Sequence, residues 1–331
     1  MLRHFTSLFD LEPDDARALL DEAIALKTRT RHDRAWVPLV GRTLGLLFEK
    51  PSLRTRVSFE AAVAQLGGSA IFLPAKEVGL GERETIPDFA RVLSQYVDAL
   101  AARTFAHATV QELARHATVP VINALSDADH PCQAMADLMT VREVLGRTKG
   151  VRIVFVGDGN NVARALAVAC ALVGSSFRLA CPQSYNYPDD FRQQFERKFP
   201  DESLDISHEP ADAVADADVV YTDVWTSMGQ ETESDARRRA FAAFQVNDDL
   251  MARARPQAIF LHCLPAHRGE EVTDAVLEGP RSFVIPQAAN RLHFQKALLL
   301  WLLDPAALLT RNVPQRTVGR HHHHRRRRKT G

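Results

Sequence analysis

Val151-Arg152-Ile153-Val154-Phe155-Val156-Gly157-Asp158-Gly159-Asn160-Asn161 is the stretch from which the fold is read. An apolar run this short, ended by glycine and followed by an alanine-rich helical pattern, predicts a strand buried on both faces that turns sharply into a helix. Just upstream, Gly146 and Lys149-Gly150 close a helical pattern over residues 131–145, so a division between two α/β units falls at 146–150. Downstream, apolar runs at 177–181, 219–222 and 258–262 alternate with alanine-rich segments, the pattern of a parallel, Rossmann-like sheet. Toward the N-terminus, Leu19, Leu20, Ala23, Ile24 and Leu26 recur at helical spacing, and apolar runs at 44–48, 70–73, 97–102 and 119–123 predict a first parallel sheet. The fold class is therefore α/β. Two domains are expected, 1–147 and 148–286, each a mainly parallel sheet flanked by helices, with a helical segment over 287–308 returning to the first.

Length and composition agree with this reading. A chain of 331 residues suits two domains of ordinary size, and 46% hydrophobic with 25% charged residues is the balance of a globular protein. The charge is unevenly spread. Eight basic and no acidic residues lie in 311–331, leaving 33 basic against 41 acidic elsewhere, about −8 for the body. An acidic body gives nucleic acid no basic face, so any such binding is expected only non-specifically through the tail. That tail, 312–331, ends in four histidines and a run of arginines and is expected to be disordered. Cys132, Cys170, Cys181 and Cys263 form no C-x-x-C pair, which fits a reducing compartment. The densest apolar run, 297–303, is too short to span a bilayer, so no membrane association and a cytoplasmic location are expected.

Four stretches carry chemistry. The first is Phe48-Glu49-Lys50-Pro51-Ser52-Leu53-Arg54-Thr55-Arg56, a strand end passing into a helix. Helix-start N–H groups, two hydroxyls and the planar fork of Arg54 suit a phosphate dianion, and the same residues equally suit a helix cap with Ser52 at N-cap. The second is His130-Pro131-Cys132-Gln133, where a neutral histidine and an amide at a helix start can hold a carbonyl and a carboxamide. Third, Arg103-Thr104-Phe105 follows a strand and puts a guanidinium at the carboxyl edge of a sheet. Fourth, Gly157-Asp158-Gly159-Asn160-Asn161, Asp223-Val224-Trp225-Thr226-Ser227-Met228-Gly229 and His262-Cys263-Leu264-Pro265 each follow a strand, so their polar groups should gather at one sheet edge. Gly157-x-Gly159 opens like a dinucleotide fingerprint, but Val162 stands where the third glycine belongs and no ribose-binding acid follows the next strand, so NAD is not expected.

Taken in order, S-x-R-T-R at 52–56, Arg103-Thr104, H-P-x-Q at 130–133 and His262-Cys263-Leu264-Pro265 resemble the aspartate/ornithine carbamoyltransferase family over roughly residues 2–308. Asp158-Gly159-Asn160-Asn161, Asp223-Val224-Trp225 and Ser227-Met228-Gly229 resemble its ornithine branch. The resemblance implies a carbamoyl phosphate-binding domain at 1–147, an ornithine-binding domain at 148–286, and carbamoyl transfer to the δ-amine of L-ornithine, giving L-citrulline and phosphate. It implies that Ser52, Leu53, Arg54, Thr55 and Arg103 hold carbamoyl phosphate with His130, Pro131, Cys132, Gln133, Cys263, Leu264 and Arg291. Arg103, His130 and Cys263 would be catalytic, and Asn161, Asp223, Ser227 and Met228 would grip ornithine. No cofactor and no metal are implied, and the family's usual assembly is a homotrimer. Read alone, Arg291 suits a helix-surface charge, Cys263 a small buried residue and Asp223 a strand-end cap.

Two departures stand out. Gly79 occupies the position at which family members commonly place a glutamine that reaches a neighbouring subunit's site, and Leu53 replaces a frequent threonine. Enzymes acting on N-acetylornithine or putrescine share the fold, as would a catalytically silent binding subunit.

Overall fold

The computed structural model describes residues 2–32, 35–227, 229 and 231–309. Met228 and the 312–331 tail lie outside the described residues. The apolar run at 44–48 has no polar face to turn toward water, and it becomes the interior strand β1 (Thr43–Phe48), buried along all but its first residue. With β2 (Ser69–Pro74), β3 (Ala99–Arg103) and β4 (Val121–Leu125) it makes a wholly parallel sheet in the order β2-β1-β3-β4. The β3–β4 register slips at its end, where Ala102 faces Asn123 but Arg103 faces Leu125. That irregularity falls where Arg103 leaves the strand, and such bulges re-aim the side chain beside them.

The second sheet is also wholly parallel, with β5 (Arg152–Val156), β6 (Ser176–Ala180), β7 (Asp205–Ser207), β8 (Val219–Thr222) and β9 (Ile259–His262) in the order β7-β6-β5-β8-β9. The chain winds outward from β5 in one direction, then from β8 in the other. Such a reversal leaves a crevice at the strands' carboxyl ends, and the first sheet has its own between β1 and β3. Strand β7 has no counterpart in the expected pattern: its three residues, Asp205-Ile206-Ser207, are too few and too polar to register as an apolar run.

Two helices join the sheets. Pro131–Leu145 is buried without a break from Pro131 to Val141 because it packs against Asn161–Val173 on one side and Val284–Leu303 on another. The helix Val284–Leu303 begins three residues before the expected 287 and packs against Pro13–His32, Leu53–Gln65 and Pro131–Leu145, thereby crossing back over the first sheet. One apolar cluster consequently runs from Leu46 through Met135 and Leu138 to Phe155 and Leu298. Deleting a buried side chain such as Leu138 from this shared core should cost about 2–5 kcal/mol.

Candidate active site

The two crevices face one cavity of about 370 Å³. On the first sheet's side, β1 ends at Phe48 and the chain turns through Glu49-Lys50-Pro51 into the helix Leu53–Gln65. Ser52 caps that helix by accepting a hydrogen bond from the Thr55 N–H at 3.2 Å, and it lines the cavity together with Lys50, Pro51, Leu53 and Arg54. The cap and the cavity wall are thus one structure, and both readings of this stretch hold. Arg103 enters from the end of β3, and Arg291 from the returning helix. Arg291 is only 3% exposed, which excludes the helix-surface reading. Its Nη2 donates to Thr55 Oγ1 at 2.8 Å.

Among the described residues, no ion pair joins a carboxylate to Arg54, Arg103 or Arg291, and the buried Nε atoms of Arg103 and Arg291 lack hydrogen-bond partners. Burial, followed by the charges of Arg291 and Arg54, pulls Arg103 down to about 10. Burial likewise lowers Arg291, and burial with the Arg103 charge lowers Lys50. Like charges gathered in a poorly hydrated site destabilise one another until an anion arrives. Lys50, whose Nζ lies 4.7 Å from the centre of the Phe105 ring, was given no role from the sequence. Its position between a strand end and a capping serine was the available signal.

His130 occupies the N-cap position of Pro131–Leu145 and lines the cavity with Nδ1 unpartnered. Burial, then Arg291, Arg103 and Lys50, hold its pKa well below the usual histidine value, so the ring is neutral at physiological pH. Thr55, Pro131, Cys132 and Gln133 are buried behind the lining residues, Gln133 with its Oε1 unpartnered and so open to a donor. The Cys132 thiol, pushed up to about 12 by burial, points at the Asn123 carbonyl 3.7 Å away, and Gln133 Nε2 donates to Asp137 Oδ1 at 2.8 Å.

On the second sheet's side Asp223 leaves β8. Its Oδ1 accepts from the Val224 N–H at 2.8 Å and the Cys263 thiol at 3.0 Å, and its Oδ2 accepts from Asn160 Nδ2 at 3.1 Å. Burial and the adjacent carboxylate push the Cys263 thiol well up, so it is a donor and not a thiolate nucleophile. Asn160 also caps the helix Asn161–Val173 by accepting from Val162 and Ala163 N–H at 2.9 and 3.1 Å. Those are N–H groups a dinucleotide pyrophosphate would need. Gly159 is required by packing: a Cβ there would sit 2.7 Å from the Asn186 carbonyl carbon. Asn161 donates to the Ser126 carbonyl at 2.6 Å, bridging toward the first sheet, while Ser227 and Leu264 complete the wall. Leu125, Val162, Val224 and Pro265 also line the cavity, and the sequence gives them no site role, because apolar lining residues look like core residues.

The turn after β9 is held from behind. His262 is fully buried, its Nδ1 accepts the Leu264 N–H at 2.8 Å, and its Nε2 faces Glu271 Oε1 at 3.0 Å. This holds Leu264 in the left-handed region, φ 57°, ahead of a cis peptide to Pro265. Asp223, His262 and Cys263 bring ligand atoms within 4.8 Å of one another, but these contacts already engage both His262 nitrogens and the thiol. In the first domain's loop, Gly79 takes φ 67° at the end of Ala75–Val78, and a Cβ would lie 2.4 Å from Arg83 Cδ. A glutamine there would need a different loop, and the cross-subunit contact stays unassigned.

Residues 3–143 match the family description "Aspartate/ornithine carbamoyltransferase, carbamoyl-P binding domain", and residues 149–302 match "Aspartate/ornithine carbamoyltransferase, Asp/Orn binding domain". The chain is 54% identical over 314 residues to the ornithine carbamoyltransferase of Acidothermus cellulolyticus, covering 92% of this chain and 98% of that protein. It is 50% identical over 299 residues to a Pyrococcus furiosus protein named "Ornithine carbamoyltransferase, anabolic", covering 90% and 95% respectively. The solved ornithine carbamoyltransferase structure from Pyrococcus furiosus superposes with a TM-score of 0.87 at 49% identity, covering 91% of this chain and 97% of that one.

Proposed function

The chain belongs to the aspartate/ornithine carbamoyltransferase family, and from that premise we infer that it transfers the carbamoyl group of carbamoyl phosphate to the δ-amine of L-ornithine, giving L-citrulline and phosphate. The observation that carries this reading is the charge layout of one cavity: Arg54, Arg103 and Arg291, with no carboxylate ion-paired to them among the described residues, gather at one end beside Lys50, and the Asp223 carboxylate stands at the other. A dianion satisfies the first end and an α-ammonium the second. Ser52, Leu53 and Arg54 take the phosphate with Arg103 and Arg291, and Thr55 holds Arg291 from behind. His130, backed by Pro131 and Cys132, meets the carbamoyl oxygen, Gln133 meets its nitrogen, and Cys263 and Leu264 border the reacting carbon. Asn161, Asp223, Ser227 and Met228 hold ornithine.

In this account the neutral δ-amine attacks the carbonyl carbon. A C–N bond forms, the C–O bond to phosphate breaks with its electron pair, and the amine proton leaves with phosphate or water. Arg103 and neutral His130 stabilise the developing oxyanion, and the arginines neutralise the departing phosphate. Binding both substrates in one cavity removes most of the entropic cost of their encounter. The protonated Cys263 thiol supports direct transfer without a covalent enzyme intermediate.

The domain division at 147/148, a homotrimeric assembly, a cytoplasmic location and a place in arginine biosynthesis belong to the same reading. Among the described residues no helix is long and apolar enough to cross a membrane, and the cysteines are free. Leu53, Val57 and Ile71, 76%, 51% and 46% exposed, lie beside the cavity mouth and on the edge strand, where a second copy would cover them. The name of the Pyrococcus furiosus relative supports the biosynthetic direction. The direct test is citrulline formation from carbamoyl phosphate with ornithine, run beside N-acetylornithine, putrescine and aspartate. Ornithine should be preferred over N-acetylornithine by at least about 100-fold, because acetylation removes the α-ammonium and leaves Asp223 unpaired, and over putrescine because putrescine lacks the α-carboxylate that Asn161 meets. Preference for another amine would overturn the assignment of Asp223 and Ser227.

A further inference from the structure

Behind the cavity wall, three elements meet on one buried carboxylate. Asp137 Oδ1 accepts from Gln133 Nε2 at 2.8 Å and from Gln287 Nε2 at 2.6 Å, and Asp137 Oδ2 accepts from the Tyr221 hydroxyl at 3.1 Å. Gln287 Oε1 in turn accepts the backbone N–H of His262 at 2.9 Å, and Gln287 Nε2 also reaches the Tyr221 oxygen at 3.1 Å. All four side chains are buried. The direction of this set is anchored at a backbone donor. A backbone N–H cannot be turned around, so His262 obliges Gln287 to present its oxygen there and its amide nitrogen to Asp137. Burial raises the Asp137 carboxyl to about 7, against the lowering effect of its hydrogen bonds from Gln287, Gln133 and Tyr221, but Oδ1 already accepts the Gln287 amide at 2.6 Å, so Oδ1 acts as the acceptor toward Gln133, which presents nitrogen to it. Its oxygen, Oε1, is then left as a buried acceptor with no partner, one helical turn behind His130.

We propose that Asp137 is a positioning residue that fixes the amide of Gln133 oxygen-outward and thereby makes the site demand an N–H donor on the group that is transferred. The inference rests on the reading above that Gln133 meets the carbamoyl nitrogen. It adds a source for the enzyme's discrimination between carbamoyl phosphate, whose amino group fills that acceptor, and acyl phosphates of the same shape, whose methyl group leaves it unpaired. The orientation originates some distance from the substrate, at the backbone of β9. It reaches Gln133 through Gln287 and Asp137.

The test compares carbamoyl phosphate with acetyl phosphate and inorganic phosphate as competing ligands. In the wild type, acetyl phosphate should bind about 10- to 100-fold more weakly than carbamoyl phosphate, the penalty for one buried acceptor left unpaired. Equal binding would overturn the proposal without any variant. Asp137→Ala and the bulkier Asp137→Leu both remove the acceptor that holds Gln133. Each should raise the carbamoyl phosphate KM about 10-fold or more while the inhibition constants for acetyl phosphate and inorganic phosphate change less than about threefold. Unchanged phosphate inhibition certifies that the variant is folded and its anion end intact. Asp137→Asn should restore most of the selectivity, because its Oδ1 still accepts from Gln133 and Gln287 while its Nδ2 donates to Tyr221. Gln133→Leu separates the two claims. If it leaves the carbamoyl phosphate KM unchanged, the placement of Gln133 is wrong. If it raises that KM but Asp137→Ala and Asp137→Leu keep wild-type selectivity, Gln133 stands and the role of Asp137 falls.

Discussion

At the scale of single residues, the cavity works by keeping certain groups in protonation states they would not choose in water. His130 is the clearest case. Burial and three neighbouring cations depress its pKa, and a depressed histidine is neutral at every pH above the lowered value. Its ring resonances followed by NMR should therefore not shift between pH 8 and pH 6; a titration centred near 6.5 would mean that Arg103 and Arg291 do not act on it. Cys263 shows the opposite sign, since a thiol pushed up by burial and by Asp223 stays protonated through the same range. Much at this scale was legible in the sequence, because Arg54, Arg103, His130 and Asp223 follow strand ends and such positions converge. What was not legible was depth. Thr55 and Gln133 belong to the same motifs as Ser52 and His130 but stand a layer behind, and only the packed helix starts decide which member of a motif faces the cavity. The orientation of the Gln133 amide was further out of reach, because it depends on residues 4, 88 and 154 positions away, at Asp137, Tyr221 and Gln287.

At the scale of elements, caps double as ligand scaffolds. Ser52 closes the helix Leu53–Gln65 while facing the cavity, and Asn160 closes Asn161–Val173 with its oxygen while its nitrogen steadies Asp223. Asn160→Ala should cost about 1 kcal/mol of stability for the lost cap and, in addition, raise the ornithine KM, whereas the carbamoyl phosphate KM should stay near wild type. Thermal unfolding and steady-state kinetics on one preparation check both halves. A stability loss with no ornithine effect would confine Asn160 to capping. The apolar runs read as strands all lie in sheets, the interior ones because a segment buried on both faces advertises itself by composition, and β2 because its edge position kept an apolar run. Strand β7 did not, as an edge position asks little of its residues. In the apparent dinucleotide opening at Gly157-x-Gly159, Gly159 answers a packing requirement against Asn186.

At the scale of the whole molecule, the cavity exists because the chain crosses between its two sheets more than once. The helix Pro131–Leu145 leads from one to the other, and Val284–Leu303 comes back with Arg291, whose bond to Thr55 ties the last long helix to the first sheet's anion loop. The exposed Leu53, Val57 and Ile71 are apolar surface that this architecture leaves uncovered. Light scattering should give about 110 kDa, three copies of the 36.8 kDa chain, and Val57→Asp should reduce that mass. A monomeric wild type would contradict the assembly without touching the site.

The central claim is that one cavity holds an anion at its arginine end and an ammonium at its aspartate end, and initial-rate kinetics of Arg54→Ala and Asp223→Asn, each with both substrates varied, test it most directly. Arg54→Ala should raise the carbamoyl phosphate KM and lower kcat together, by about 10-fold or more each, with the ornithine KM nearly unmoved. Asp223→Asn should do the reverse, weakening ornithine use by about 100-fold while carbamoyl phosphate saturates as in the wild type. Unchanged kinetics in either variant, or the two effects exchanged between substrates, would contradict the account.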